Sequence, residues 1–491
     1  MKQKSLKKNY IYNVCYQILL LIIPFITTPY LARVLGADGV GLYSYSNAMV
    51  SYFTLFACLG TGTYGQRAIS YVQNDKEGRS RVFWETFLFR TIMVLVTLIF
   101  YGIYLFYTKE NLIIYIVLTL NLINIIFDIT WFYQGLEEFK KTVIRNTIMK
   151  VLNIIFIFVF VKDADDLVIY VAGTVGLTLL GSISLWGYLP KYVCKVKNIK
   201  PFRDIKTIIK LFIPTIAVQV YTIVDKSMLG HFANNYLENG YYEQAEKVYK
   251  ICLTLVTSLG TVMIPRIGKT FKEGNIKKVN EYMYKSYNFI WFLSVPIMFG
   301  LISISDIFVP IFFGSGYDKV AIILPIFSIL VIVIGLSNVN GHQYFIPLGK
   351  ENIYTLTVVV GAVVNFCLNL ILIPRYFSIG ACIATVVAEI CVTATGFIYI
   401  YKTKQLSIKK IILMSLNYFI SGVTMLLIIV LIKSFIGSSI IELSLLILTG
   451  CIVYVGMLFV LKDKFFLGLF NQVIDIVKRQ FNKITLKLKK S

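Results

Sequence analysis

Long apolar runs separated by short polar loops dominate the sequence. Most runs are close to the roughly 20 residues that a helix needs to cross a bilayer. They lack the short alternating segments of a transmembrane β-barrel. Because lipid offers backbone groups no hydrogen-bond partner, runs of this length predict spanning helices. We count fourteen runs, at residues 10–32, 41–64, 83–107, 111–133, 142–161, 166–189, 207–229, 244–265, 286–307, 320–345, 353–373, 379–401, 411–432 and 438–461.

Composition supports a multi-pass membrane protein and argues against a soluble enzyme. Of the 491 residues, 57% are hydrophobic and 15% are charged, whereas soluble domains carry about 25% charged residues. The loops are too short to hold a soluble catalytic domain of about 100 residues. All cysteines except Cys194 lie in apolar runs, and no two form a CxxC pair. We therefore predict no disulfide and no metal site.

The loop charges predict the orientation in the membrane. With the N-terminus inside, the loops on that side hold most of the lysines and arginines, as cytoplasmic loops do. The net charge of +23 then reflects topology and attraction to anionic lipids rather than nucleic-acid binding. Both termini are predicted to be cytoplasmic. Residues 463–491 place apolar side chains and lysines at helical spacing, which predicts a basic amphipathic helix on the inner surface.

An internal duplication organises the chain. Residues 24–67 and 214–266 share a proline within a helix, a cation shortly before a Leu-Gly pair, and a second helix that ends in Leu-Gly-Thr. Helices 1–6 thus resemble helices 7–12, and an even number of spans per repeat makes the repeats parallel. The predicted fold is an all-α bundle of two six-helix lobes around a central cleft, with two further helices. The predicted domains are residues 1–190 and 191–405 for the lobes, 406–462 for helices 13 and 14, and 463–491 for the tail.

Basic residues within the apolar runs are candidates for an anion site. Ionisable groups at membrane depth are costly unless they are paired or hydrated, so they often mark function. Arg90 and Lys150 lie deep in helices 3 and 5, while Arg33, Lys226 and Lys247 lie nearer the outer side. A hydrated cationic cleft would suit an anionic substrate. For Arg90 and Lys150, the alternative is that the side chains reach out to the inner head groups.

Acidic residues accompany these cations and are candidates for ion coupling or charge pairing. Asp225 directly precedes Lys226, and this pair either serves a substrate or locks helix 7 to helix 8. Glu243 and Glu246 each precede a lysine by four residues, a favourable order on a helix. Glu389 is an isolated acid in helix 12, suited to an ion site or to a structural hydrogen bond. We expect no cofactor and leave the coupling ion, H⁺ or Na⁺, open.

Several stretches resemble a known family. The first loop reads ITTPYLARVLGADGVGLYS from Ile26 to Ser44. Supporting stretches are YGQRAI (64–69), DKSMLG (225–230), NGYYEQAEK (239–247) and MIPR (263–266). Together they resemble Wzx-type polysaccharide flippases of the multidrug/oligosaccharidyl-lipid/polysaccharide exporter superfamily. The resemblance covers nearly the whole chain, and it says little about which sugar is carried.

The resemblance implies a flippase in the plasma membrane of a bacterium. Such a protein would move a polyprenyl-pyrophosphate-linked oligosaccharide to the outer leaflet by alternating access of two lobes, without direct use of ATP. It implies that the cations bind the pyrophosphate, namely Arg33, Arg90, Lys150 and Lys226, with Lys247 in support. The implied partners are the lipid-linked substrate, membrane lipids, and the polysaccharide polymerase and glycosyltransferases of the same pathway.

Two other functions stay open at this stage. A cation-coupled multidrug antiporter of the same superfamily would need an acid-dominated cleft, whereas deep bases here match or outnumber deep acids. A membrane polysaccharide polymerase or glycosyltransferase would need a large outer loop rich in arginine or carboxylates, and the outer loops are short. The sequence has no GxxxxGK[ST] phosphate loop. We predict no catalytic residues.

Overall fold

The computed structural model describes residues 6–233, 235–437, 439–472, 474–475 and 478, and regular structure in these residues is helical. The long helices follow the predicted apolar runs. The helices, numbered in chain order, are α1 (Leu6–Cys58), α2 (Thr61–Tyr71), α3 (Lys76–Tyr107), α4 (Leu112–Phe127), α5 (Thr130–Gly135), α6 (Phe139–Phe160), α7 (Leu167–Ser184), α8 (Ile205–Phe232), α9 (Leu237–Lys272), α10 (Ile276–Phe313), α11 (Asp318–Asn338), α12 (Glu351–Thr403), α13 (Ile408–Lys433) and α14 (Ile440–Val460).

The two longest helices are each made of two spans joined by a kink. In α1 the break is at Gly36, with φ 66° and ψ 175°, a conformation that is essentially restricted to glycine. In α12 the break is at Phe377, with φ 50° and ψ −125°, a strained geometry for a bulky side chain. The two halves of each helix coincide with separate predicted runs. Each of the remaining ten runs contains one long helix, and the run 111–133 also extends from α4 into α5. The predicted all-α membrane fold is therefore confirmed.

Ten helical segments in the described part of the chain are long and apolar enough to cross a bilayer. The chain divides into two compact units that do not follow a single cut along the sequence. Unit 1 comprises Met1–Gln244, Phe313–Tyr317 and Ala362–Ala384, and unit 2 comprises Ala245–Phe312, Asp318–Gly361 and Thr385–Ser491. The domain boundaries at residues 190, 405 and 462 stay predictions from the sequence repeat. Most of the predicted amphipathic tail, residues 463–491, lies outside the described residues.

Unit 1 is built on tight packing among α1, α3, α4 and α7. Their buried faces interlock through apolar side chains, among them Val50, Val94, Leu118 and Val171. Because lipid tails are as apolar as these side chains, close packing rather than escape from water holds such helices together. A second cluster joins α2, α3 and α5 around Phe83, which is fully buried. These helices form the frame that carries the charged side chains described below.

Two glycines let α1 pack directly against the start of α9. A Cβ atom added at Gly41 would lie 1.8 Å from the carbonyl oxygen of Tyr236. A Cβ atom added at Gly240 would lie 2.0 Å from the carbonyl oxygen of Ala37. Real Cβ atoms do not approach oxygens this closely, so both positions require glycine for this packing. The contact brings Ser44 of α1 within reach of α9.

Unit 2 has its own core, centred on α10 and α11. Fully buried side chains there include Val295, Phe327 and Leu330. After α11 the chain continues as a π-helical turn, Val339–Phe345, a geometry that is rare and often found at functional sites. α13 and α14 pack against each other, and the hydroxyl of Tyr454 on α14 donates to the carbonyl oxygen of Phe292 on α10 at 2.9 Å.

Candidate functional site

A charged pair connects α8 to α9 within unit 1. The ammonium of Lys226 lies 2.6 Å from Oε2 of Glu243, and both side chains keep less than a fifth of their exposure. The hydroxyl of Ser44 donates to the same carboxylate oxygen at 2.7 Å. The backbone of Lys226 is also held, because Asn239 donates to its carbonyl oxygen at 2.8 Å. The structure thus pairs Lys226 with Glu243, two of the residues predicted for the site.

Asp225, the neighbour of Lys226, accepts hydrogen bonds from two uncharged side chains. It is 2% exposed, and its carboxylate accepts from the hydroxyl of Tyr242 at 2.7 Å and from Nδ2 of Asn369 at 2.6 Å. Asn369 also donates to Oδ1 of Asn365 at 3.1 Å. Oδ1 of Asn369 and Nδ2 of Asn365 are buried without a hydrogen-bond partner among the described residues. We call Asp225, Tyr242, Asn365 and Asn369 the Asp225 cluster.

The Asp225 cluster has the chemistry of a site for a small hard cation or a proton. Buried charges are normally paired, and a carboxylate held by a hydroxyl and amides can accept a proton or a metal ion with oxygen ligands. Amide side chains can turn their oxygens toward a cation, since their two ends are nearly the same shape. Within the described residues, no group of three His, Cys, Asp or Glu side chains is arranged to hold a metal. Any cation here would thus rely on amide and hydroxyl oxygens beside one carboxylate.

Arg90 occupies a different place in unit 1. It is buried on α3, and its Nη1 donates to the carbonyl oxygen of Asp128 at 2.8 Å. Asp128 directly follows α4, and its side-chain Oδ1 accepts at 3.0 Å from the backbone amide of Thr130, the first residue of α5. A cation near a helix C-terminus satisfies free carbonyl groups and the helix dipole. Nε of Arg90 is buried without a partner among the described residues.

Lys150 lies on α6 and shares a pocket with Arg145, which was not among the predicted site residues. Arg145, on the same helix, donates from Nη2 to the hydroxyl of Thr130 at 2.6 Å. Both residues line a pocket of about 170 Å³ between α6 and α7. Lys150 forms no ion pair with any carboxylate in the part of the chain that the structure describes.

The remaining predicted residues are distributed over both units. In unit 1, Arg33 is exposed on α1, three residues before the kink at Gly36. In unit 2, Glu246 is buried on α9 and bonds to the ammonium of Lys250 at 2.7 Å, as the spacing of four residues predicts. Lys247 is half-buried on the same helix, and Glu389 is buried on α12.

Several polar residues that complete these arrangements were not predicted from the sequence. Asn365 and Asn369 are one helical turn apart in an apolar run, which places both on one face of the helix. Arg145 and Asn153 line the same pocket as Lys150. The sequence offered two signals, the spacing of four residues between Asn365 and Asn369 and the spacing of three between Lys150 and Asn153. Arg145, five residues from Lys150, has no such spacing.

Tyrosine rings surround the ammonium of Lys141 near the start of α6, and one of them, Tyr192, follows the candidate span Ala164–Lys191. The ammonium of Lys141 lies 4.2 Å from the ring centre of Tyr192 and 5.2 Å from that of Tyr188. The hydroxyl of Tyr192 donates to Glu138 at 2.9 Å. Burial, followed by the hydrogen bond to the Glu138 carboxylate, raises the pKa of Tyr192 to about 12. The phenol therefore stays neutral at physiological pH.

Comparison with known proteins places the chain in a family. Residues 6–271 match the model of the "Polysaccharide biosynthesis protein" family. The chain is 25% identical over 414 residues to a "Putative O-antigen transporter" of Escherichia coli (strain K12), covering 82% of this chain and 98% of that protein. It is 24% identical over 347 residues to the "Lipid II flippase MurJ" of Bacillus subtilis (strain 168), covering 62% of this chain and 63% of that protein.

Solved structures with the same fold are membrane transporters. The "Lipid II flippase MurJ, inward closed conformation" superposes with a TM-score of 0.71 at 18% identity, over 91% of this chain and 98% of that one. An inward-facing "multidrug resistance MATE family transporter of the MOP superfamily" gives 0.59 at 14% identity, over 78% of this chain and 94% of that one. The chain therefore has the fold of these multi-pass transporters, and it belongs to the polysaccharide biosynthesis protein family.

Proposed function

We propose that this protein is a flippase that moves a polyprenyl-pyrophosphate-linked oligosaccharide across the cytoplasmic membrane by alternating access, for export of a surface polysaccharide. The observation that carries the proposal is the presence of cations within apolar helices, Arg90 and Lys150, that form no ion pair with a described carboxylate. The names of the relatives, an O-antigen transporter and a lipid II flippase, support the same substrate class.

The substrate explains why such cations are kept. A pyrophosphate must pass about 30 Å of hydrocarbon, where an uncompensated charge is very costly. Arginine and lysine form strong charge-assisted hydrogen bonds with phosphate oxygens, and their attraction grows as water is excluded. The polyprenyl tail needs no such compensation, because it is as apolar as the bilayer. The protein thus has to provide a polar path for the head group.

Lys226 contributes to this path by exchanging its Glu243 partner for a phosphate oxygen of the substrate. In the structure its charge is balanced by Glu243 at 2.6 Å. A phosphate oxygen that approached Lys226 would compete with the carboxylate for the same ammonium. The pair therefore acts as a resting state, in which the cation is held in place and its charge is compensated until substrate arrives.

We further propose that the Asp225 cluster holds the coupling ion, Na⁺ or H⁺. The carboxylate of Asp225 is buried and faces Asn369 and Tyr242, while an oxygen of Asn369 lacks a partner among the described residues. Asp225 is adjacent to Lys226, so binding of the coupling ion at Asp225 changes the electrostatic potential at the ammonium of Lys226, which pairs with Glu243. Ion binding and head-group binding are thereby coupled over one residue.

The proposed setting is the plasma membrane of a bacterium, with both termini in the cytoplasm as the loop charges predict. Glycosyltransferases on the inner side would supply the lipid-linked unit, and a polymerase on the outer side would consume it. The protein itself makes and breaks no glycosidic bond in this proposal.

Reconstitution tests the proposal directly. Purified protein is placed in liposomes that contain a fluorescent short-chain polyprenyl-pyrophosphate glycoside, and a reductant that cannot cross the bilayer bleaches the outer leaflet. We expect protein-dependent bleaching of the inner pool and recovery of the glycoside with its sugar unchanged. Exchange of cationic drugs without exchange of the glycolipid would instead indicate the antiporter. A new glycosidic bond formed in detergent would indicate an enzyme.

A further inference from the structure

The pocket between α6 and α7 has an unusual lining for a site at membrane depth. Two cations and four uncharged polar residues face it: Arg145, Asn146, Lys150, Asn153, Thr174 and Thr178. Its volume of about 170 Å³ is several times the ~30 Å³ that a water molecule occupies in the liquid. Among the described residues, no acidic side chain lines the pocket. Its chemistry therefore favours an anion.

The pocket lies near the middle of α6, on a different side of the helix from its exposed apolar residues. Lys150 follows Phe139 by eleven residues and precedes Phe160 by ten, so it is roughly 16 Å from either end of the helix. Exposed apolar residues repeat along another face of α6, at Ile144, Ile148 and Ile155. A helix with one apolar face and one polar face turns the polar face away from lipid.

The pocket offers cationic donors at one place and an uncharged acceptor at another, so it suits a ligand that carries both an anionic group and a hydroxyl. Arg145 is held in place by Thr130, and Lys150 carries three donors with no described carboxylate to receive them. These cations suit phosphate oxygens. Oδ1 of Asn153 is a buried acceptor without a hydrogen-bond partner among the described residues. An acceptor in this position suits a hydroxyl on the group attached to the phosphate.

We infer that the α6–α7 pocket binds a phosphate that carries a hydroxylated substituent, namely the sugar-proximal phosphate of a glycosylated lipid. Arg145 and Lys150 hold the phosphate oxygens, and Asn153 accepts from a hydroxyl of the first sugar. The inference rests on the proposed function for the identity of the lipid. It adds to that function a binding site for the junction between the phosphate and the first sugar, and it names Asn153 as a residue that recognises the sugar.

Binding measurements on the full chain test the inference. The protein is placed in phosphatidylcholine nanodiscs and titrated with three probes: a polyprenyl pyrophosphate that carries one N-acetylhexosamine, the same lipid without sugar, and phosphatidylglycerol. Lys150→Gln removes the charge, Asn153→Leu removes the acceptor, and Lys140→Gln is the matched control on the exposed first turn of α6. Thermal unfolding of each variant establishes that it is folded.

We expect Lys150→Gln to weaken binding of both pyrophosphate lipids by about tenfold, the effect of one lost charge-assisted hydrogen bond. Asn153→Leu should weaken only the glycosylated lipid, and Lys140→Gln should change neither. Equal affinities of the folded wild type, Lys150→Gln and Asn153→Leu for the glycosylated lipid would overturn the inference. So would a Lys150 effect confined to phosphatidylglycerol, which would make the pocket a site for bulk phospholipid.

The two proposals fail in different ways. Suppose that wild-type protein exchanges no glycolipid between leaflets, yet the Lys150 and Asn153 substitutions weaken binding as predicted. The proposed function is then wrong, and the inference about the α6–α7 pocket is supported. If leaflet exchange is normal and binding is indifferent to both substitutions, the function stands and the pocket inference is wrong.

Discussion

At Gly41 and Gly240 the main chains of α1 and α9 approach so closely that neither position has room for one methyl group. The nearest carbonyl oxygens, of Tyr236 and Ala37, would lie 1.8 and 2.0 Å from an added Cβ. Both oxygens belong to backbone, which cannot rotate away as a flexible side chain would. The packing of α1 beside the Lys226–Glu243 pair therefore depends on the absence of a side chain at two positions.

We predict that Gly41→Ala and Gly240→Ala each destabilise the protein by about 1–3 kcal/mol, the usual cost of overpacking. Thermal unfolding of purified protein in detergent measures the effect. Gly102→Ala is the control, because a Cβ atom at Gly102 meets nothing within 4 Å. Unfolding midpoints of all three variants equal to that of the wild type would contradict the close approach.

Tyr192 gives a prediction for alkaline pH. Its pKa in the folded protein is raised from 10.0 to about 12 by burial and by Glu138, so folding favours the neutral phenol. Its contribution to stability is complete below pH 10 and is lost as the pH rises through 12. Between these values wild-type protein should lose thermal stability faster than Tyr192→Phe, which has no phenol to ionise. Parallel loss in both proteins would contradict the shift.

Among the elements, α8 and α9 are joined in unit 1 by polar contacts from two adjacent residues of α8. Lys226 on α8 contacts Glu243 on α9, and one residue away Asp225 contacts Tyr242. Adjacent residues on α8 point about 100° apart, so they reach different neighbours. Two adjacent residues of α8 thus have different surroundings: Lys226 pairs with the Glu243 carboxylate, and Asp225 accepts from the hydroxyl of Tyr242 and the amide of Asn369.

We predict that Glu243→Gln destabilises the protein, because it leaves the ammonium of Lys226 without its carboxylate. The loss should be about 1–3 kcal/mol, below the 3–5 kcal/mol typical of a fully buried pair because both side chains keep some exposure. The double variant Lys226→Met/Glu243→Met should recover this stability and still transport less glycolipid than the wild type. Recovery of both stability and transport would mean that the pair only connects the helices.

Ion dependence is a separate prediction for this element. If Asp225 binds the coupling ion, leaflet exchange by wild-type protein responds to an imposed gradient of Na⁺ or of pH, and Asp225→Asn is insensitive to that gradient. Asn retains the shape of the side chain and removes its charge. Asp38→Asn, at an exposed position on α1, is the control. An equal gradient response in wild type and Asp225→Asn would exclude Asp225 as the coupling site.

The sequence predicted the elements well and the contacts less well, for a physical reason. Length and hydropathy determine a spanning helix locally, so even the two kinked helices were predicted as separate runs that meet at Gly36 and Phe377. The partner of an intramembrane charge depends instead on the rotation of two helices about their axes. The approach of Asn369 to Asp225, 144 residues away in the chain, left no local sign in the pattern.

At the scale of the whole molecule, the fold is shared by transporters with different substrates. MurJ and MATE structures superpose on the chain with TM-scores of 0.71 and 0.59. Function therefore has to be argued from the side chains within this frame. Arg90, Arg145 and Lys150 place positive charge at membrane depth in unit 1, and a lipid-linked pyrophosphate is the substrate that this charge suits.

The most direct test measures leaflet exchange of a polyprenyl-pyrophosphate glycoside by Arg90→Gln and Lys150→Gln in liposomes. Glutamine removes each charge, and at position 90 it retains an amide that can donate to the carbonyl oxygen of Asp128. Lys140→Gln serves as the matched control. We predict that both variants fold and insert normally and exchange the glycolipid at least about tenfold more slowly than the control. Exchange at the wild-type rate by both variants would contradict the claim that these cations carry the head group across.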